Sequence, residues 1–175
     1  MTKLTEVTPV GPVSGPIVNS IPKRILDESV GYFMLEMFDD AWLVLDEAPE
    51  SLQGEEDLLS MRIDIAIAQK KWTVGADLAK SSIELYPSAL NFYLNGAFCI
   101  RRDESLESAY PFLLAARRAC DKLSAIWHYN LACYEAQLGN LEAVGPSFHK
   151  AISMDPKFEA MAKTDPDLKP WLETL

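Results

Sequence analysis

The sequence predicts an all-α fold, an α-solenoid of stacked antiparallel helix pairs closed by a C-terminal capping helix. Three observations lead there. Five series of residues recur along the chain in register, apolar residues fall at helical rather than alternating spacing, and helix-breaking residues punctuate each unit at corresponding places.

The register is clearest read backwards from the stretch "LGNLEAVGPSFHKAISMDP". Leu141 answers to Leu106, Trp72 and Phe38; Val144 to Ala109, Gly75 and Ala41; Phe148 to Leu113, Ala79 and Leu45. Ala151 answers to Ala116, Ser82 and Ala48, and Ala132 to Ala97, Ile63 and Ser29. In every series the steps, taken from the N-terminal side, are 34, 34 and 35 residues. One spacing that holds five independent series together is the signature of a repeated supersecondary unit, which cannot bury its apolar face alone and must stack on its neighbours.

Each unit reads as two helices. In the last, "AIWHYNLACYEAQL" is apolar at helical spacing, and "GN" ends it because glycine readily takes the left-handed conformation of a helix C-terminus. "LEAVGPSFHKAISM" forms the second helix, and "DP" closes it, since a residue before proline avoids helical dihedrals. "YP" at 86–87 does the same two units earlier. Pro146 stands early enough in its helix to be tolerated. Small residues at Ala97, Ala132 and Ala151 let helices approach, and Leu113, Leu131, Phe148 and Trp72 fill the space that remains. The boundaries are 22–55, 56–89, 90–124 and 125–158 for the four units and 159–175 for the cap, where Phe158, Met161, Leu168 and Trp171 are expected to cover the last unit. Residues 1–21, with four prolines or glycines between Pro9 and Gly15, read as a flexible arm.

Composition narrows the function classes. Sixteen basic against 26 acidic residues give a net charge of −10, which argues against a nucleic-acid or anionic membrane surface. Three cysteines, Cys99, Cys120 and Cys133, form no CxxC pair, so neither a disulfide framework nor a zinc site is expected and a reducing compartment fits. With no long apolar run and no signal-like apolar core, the expected location is cytoplasmic.

The period and the residues resemble the tetratricopeptide repeat (TPR) family over about 22–158, most closely in "NLACYEAQLGNLEAV" and the "F..AI..DP" that follows. Glu135 and Ala66 replace a usual aromatic of that pattern, and Gly96 and Arg62 a usual leucine. The resemblance implies a right-handed superhelix whose first helices line a concave groove for a protein or peptide partner. Carried over by register, the groove-facing candidates are Phe33, Asp57, Asp64, Asn91, Leu94, Phe98, Arg101, Arg102, Tyr129 and Cys133. They offer apolar and aromatic anchors, an acidic patch at Asp57 and Asp64, and a basic pair at Arg101 and Arg102 suited to a partner carboxylate. The basic pair also stands at a helix end, where cations are favoured without any ligand. The lysines and asparagines with which some family members clamp a chaperone C-terminus are replaced here by Leu26, Val30, Met61 and Asp57, with Asn95 alone matching. Small size and acidity resemble secretion chaperones built from such repeats. A second expectation is therefore a self-associating or chaperone-like adaptor whose groove is filled by its own N-terminal arm.

Catalysis, metal and cofactor are not expected. His128 and Cys133 stand about 140° apart around one helix. His149 belongs to a solvated face, and Cys133 reads as a packing residue. "GPVSGP" precedes no strand–helix unit, so it is not a phosphate loop. The acids at 39–40 and 55–57 read as helix-start charges.

Overall fold

A computed structural model describes residues 21–174. Eight helices follow one another in four pairs: α1 (Ile21–Met34) with α2 (Phe38–Asp46), α3 (Glu56–Ala68) with α4 (Trp72–Leu85), α5 (Leu90–Asp103) with α6 (Leu106–Ala119), and α7 (Ala125–Gln137) with α8 (Leu141–Met154). Two short helices, α9 (Lys157–Ala162) and α10 (Lys169–Leu172), end the chain against α7 and α8. No strand occurs among the described residues. The N-terminal arm of the sequence reading lies outside them.

The turn inside three of the four pairs is one backbone device that recurs with the repeat. Glu36, Lys70 and Gly139 take left-handed dihedrals, with φ of 59°, 58° and 78°. The next amide then reaches back to the preceding helix: Met37 N–H donates to Tyr32 O (3.0 Å), Lys71 N–H to Ala66 O (2.8 Å) and Asn140 N–H to Glu135 O (2.8 Å). This closure satisfies carbonyls that a helix end would leave bare. At the third turn Glu104 has φ −112°, and Ser105 caps α6 by accepting from Ser108 N–H at 3.1 Å. The acids at 39–40 and 56–57 do fall in the first turns of α2 and α3.

Four of the five register series are wholly buried: Ser29, Ile63, Ala97 and Ala132; Ala41, Gly75, Ala109 and Val144; Leu45, Ala79, Leu113 and Phe148; Ala48, Ser82, Ala116 and Ala151. The fifth, Phe38, Trp72, Leu106 and Leu141, is half-buried at the start of each second helix. Pro111 and Pro146 both stand within continuous second helices. The carbonyls their rings leave unbonded belong to the exposed Glu107 and Glu142, where water can serve.

Two departures from the family pattern have long-range partners. Gly96 sits on α5 so close to α4 and α6 that a Cβ would lie 2.5 Å from Phe112 Cε1 and 2.8 Å from Ala79 Cβ. Phe112 thus occupies the volume that a leucine at 96 would fill. Arg62, buried on α3, donates to Asp46 Oδ1 (2.5 Å), Leu45 O (2.8 Å) and Gln53 Oε1. Gln53 Nε2 in turn donates to the carbonyls of Leu45 (3.0 Å) and Ala48 (2.7 Å). The Arg62 guanidinium also lies over the Trp42 ring, 5.3 Å from its centroid. The pair completes the C-terminal end of α2, a helix of only nine residues.

The two ends of the stack differ. At the C-terminal end Phe158, Ala162, Leu168 and Trp171 are buried, with Phe158 stacked on Tyr129 at 4.7 Å and Trp171 edge-on to Phe148 at 5.3 Å. Met161 was expected among them but is 44% exposed; Ala162, one residue on, faces inward. The cap is also two short helices joined by a turn, where one helix was expected. At the other end α1 leaves Ile21, Val30 and Met34 exposed, followed by Leu35 and Met37.

Gly96→Ala is expected to lower stability by about 1–3 kcal/mol through overpacking. Urea melts of the two proteins check this, and the double variant Gly96→Ala/Phe112→Leu is expected to recover part of the loss.

Candidate functional site

The first helices of the pairs carry the candidate inner face, and α3 and α5 are tied along it one turn apart. Asn91 Nδ2 donates to Ser60 Oγ at 2.7 Å, and Asn95 Nδ2 to Asp64 Oδ1 at 3.2 Å. Partial burial pushes the Asp64 carboxyl above its ordinary value, and the Asn95 bond offsets part of that. Asp57 and Asp64 are exposed, and Asn91 and Leu94 are half-buried. Phe33 is half-buried too, turned edge-on to Phe38 at 5.4 Å within the first pair. Phe98 is 37% exposed, with the Trp72 ring on one side at 5.8 Å and the exposed Arg102 guanidinium over it at 5.3 Å.

Further along, the same face is occupied by the chain itself. The turn between α9 and α10 carries Asp165, Pro166 and Asp167 onto α5 and α7. Arg101 takes Asp167 in a two-pronged ion pair, Nη1 to Oδ2 at 2.6 Å and Nη2 to Oδ1 at 3.0 Å. Its guanidinium lies 5.3 Å from the centroid of the Tyr134 ring. Tyr129 donates its hydroxyl to Asp165 Oδ2 at 2.7 Å, and Cys133 Sγ lies 3.8 Å from the same oxygen. Gln137 Nε2 donates to the backbone carbonyl of Asp167 at 3.0 Å. Asp165 also orders its own turn by accepting from Asp167 N–H at 2.9 Å. Beside the turn remains a cavity of about 490 Å³, open to solvent, lined by Phe98, Arg102, Asn130 and Tyr134 among others.

Nine of the ten sequence-predicted residues divide into two groups, and the tenth, Phe33, packs against Phe38 within the first pair. Asp57, Asp64, Asn91, Leu94, Phe98 and Arg102 stand on the open part of the face. Arg101, Tyr129 and Cys133 lie under the Asp-Pro-Asp turn, Tyr129 and Cys133 being buried. The sequence reading did not find Asp165 and Asp167 as part of this surface. Arg101 and Asp167 are 66 residues apart, outside any repeat register. The one local signal was "TDPD" itself, two acids in a turn of a chain whose basic pair had no assigned partner.

The chemistry of the cluster is electrostatic. Burial, then the charges of Asp165 and Asp167, push the Cys133 thiol far above the ordinary range, so it is held protonated. Burial also raises Cys99, to about 11, with Asp103 adding to it. Tyr134 is pushed up to about 12 by burial, against the pull of Arg101. None of these groups is an activated nucleophile. Cys133 Sγ and carboxylate oxygens of Asp165 and Asp167 do lie within 4.8 Å of one another, a donor set of metal-binding size. The Arg101 guanidinium already supplies a positive charge there and engages both oxygens of Asp167. His128 is depressed below its ordinary value by burial and by Lys150 and Arg117.

No protein-family model matches the chain, and no curated protein matches it in sequence. Solved structures do match. A thermophilic TPR protein from Thermus thermophilus superposes with a TM-score of 0.66 at 17% identity, covering 87% of each chain. The chain has the TPR fold. Two structures of MamA extend the likeness: MamA AMB-1 has a TM-score of 0.61 at 15% identity, covering 86% of this chain and 91% of its own. MamA MSR-1 has 0.59 at 15%, covering 89% and 91%. These matches establish the TPR fold and leave ligands to be argued from the residues. No helix among the described residues is long and apolar enough to cross a membrane.

A double-mutant cycle on Arg101→Gln and Asp167→Asn is expected to give a coupling of about 1 kcal/mol, held down by partial exposure of both side chains. A second test concerns Glu135, which is buried on α7 and accepts from Ser147 Oγ at 2.9 Å. Burial raises its carboxyl pKa, and the Ser147 bond and Arg117 offset part of that rise. The folded state therefore holds this proton more tightly than the unfolded chain. Its contribution to stability is fullest below the ordinary glutamate value and is lost as pH rises through the folded value. Glu135→Gln is accordingly expected to raise Tm at pH 7, with the gain shrinking toward about pH 4, as thermal melts at the two pH values will show.

Proposed function

We propose that the protein is a non-catalytic interaction scaffold that takes a segment of a protein partner along the open part of its concave face, where α1, α3 and α5 lie side by side. The observation that carries this reading is the division of the inner face. Its C-terminal part already holds a piece of protein chain through side-chain bonds to α5 and α7. Its N-terminal part presents the same kind of surface, polar groups beside half-buried apolar ones, with Asp57, Asp64 and Phe98 exposed. Phe98 supplies an aromatic anchor that Trp72 holds in place, and Arg102 lies along its face.

Charge refines the choice of partner. With Arg101 neutralised by Asp167, the charge on the open part is mixed: Asp57 and Asp64 on α3 stand against Arg102, with Lys23 and Asp27 of α1 beside Asp57. A partner segment of mixed charge with an apolar side chain for Phe98 suits this surface. A purely acidic segment would be repelled at α3. The protonated cysteines support a binding role over a chemical one.

Capture from a native lysate separates the outcomes. The baits are wild type, the groove variant Asp57→Arg/Asp64→Arg, and the control Glu159→Arg/Glu173→Arg, which changes charge equally on the exposed cap. A partner of the open face is expected to fall about tenfold or more with the groove variant and to persist with the control. The same proteins recovered at the same level by all three baits would remove this face from the function.

A further inference from the structure

The Asp-Pro-Asp turn is bound by more than the cap requires. Covering the apolar end of the last pair is accomplished by Phe158, Ala162, Leu168 and Trp171. The carboxylates of Asp165 and Asp167 add nothing to that apolar cover. They project instead onto α5 and α7, and each finds a donor aimed at it: the fork of Arg101 at Asp167 and the hydroxyl of Tyr129 at Asp165. Gln137 holds the backbone between the turn and α10 through the Asp167 carbonyl. Arg101 is itself fixed against the Tyr134 ring. A planar fork, a phenol and an amide in fixed positions are the parts of a site that reads two carboxylates two residues apart at the start of a helical turn.

We infer that this surface of α5 and α7 is a recognition site for an Asp-x-Asp turn, filled in cis by residues 165–167 and open in trans to a protein partner that carries the same turn. The inference deepens the scaffold reading and rests on it. It names a second, distinct ligand for the closed part of the face, whose chemistry is acidic where the open part is mixed. The cis turn is tethered on both sides, so its effective concentration at the site is on the order of millimolar. A partner segment therefore gains entry only by outcompeting it or when the turn is loosened. The cavity beside the turn, lined by Phe98 and Arg102, gives an arriving chain a place to dock before the exchange is complete.

The test uses the full chain and a fluorescein-labelled synthetic peptide of residues 163–173. Asp165→Asn/Asp167→Asn keeps side-chain volume and the buried anchors Leu168 and Trp171 while removing both charges from the cis turn. By fluorescence anisotropy the peptide is expected to bind this variant about tenfold or more tightly than wild type. Adding Arg101→Gln should abolish the gain, and a peptide with both aspartates changed to asparagine should bind the variant about tenfold or more weakly. Equal binding of the two peptides would overturn the inference, because the anchors alone would then explain it. No binding to any folded variant would overturn it as well. If the double variant does not fold, Asp167→Asn alone serves, and wild type with excess peptide provides a second reading. Hydrogen exchange at Trp171 and Leu172, whose amides bond to Leu168 O, should then accelerate as the cap is displaced, and unchanged exchange would count against the exchange of turns. A partner captured on Asp57 and Asp64 while the peptide fails would sink this inference and leave the scaffold reading standing.

Discussion

The structure depends on one constraint: no helix pair in it can bury its own apolar face. Each pair is stable because the next one covers it, through buried small and large residues held in register. The close approach at Gly75 and Gly96 is the sharpest expression of this. A Cβ on Gly75 would lie 2.6 Å from Cys99 Sγ, as one on Gly96 would meet Phe112. These two glycines bring α4 and α5 together tightly enough that the second and third pairs share a core, and the line of first helices along the inner face follows from that packing. The constraint also has an end. The last pair is covered by α9 and α10 instead, and the route between them lays an acidic turn over α5 and α7.

The electrostatics of the inner face follow from that route. An arginine pair at the end of α5 would make a basic spot in an otherwise acidic protein. Asp167 takes one member, and Phe98 lies beneath the other. The thiol of Cys133 and the phenol of Tyr129 are driven toward their protonated forms by burial and by the neighbouring carboxylates. A set of side chains with the makings of reactive chemistry is thus held in an inert, hydrogen-bonding state.

Much of this was legible in the sequence, and the reason is local. A repeat places the same kind of residue at the same step, so all five series could be named from the sequence, and the turn at Gly139 was marked by its residue type. Glu36 and Lys70 adopt the same left-handed turn without any such mark, because the packing of the flanking helices dictates it. Arg62 and Gly96 looked like lapses from the pattern. Their partners, Gln53 with Asp46 and Phe112, lie in other helices or loops and compensate only in three dimensions. The site was half legible for the same reason. Register pointed to the first helices as the candidate face, whereas the turn that covers part of it belongs to no repeat. Met161 and Ala162 exchanged roles because a one-residue error in a six-residue helix rotates the inward position by about 100°.

The unlike ends of the stack bear on how copies could associate. The C-terminal end is covered by Leu168 and Trp171, so it offers no stacking surface to the α1 end of another copy, where Val30 and Met34 are exposed. Head-to-tail growth into a filament needs two complementary free ends, and among the described residues this chain has one.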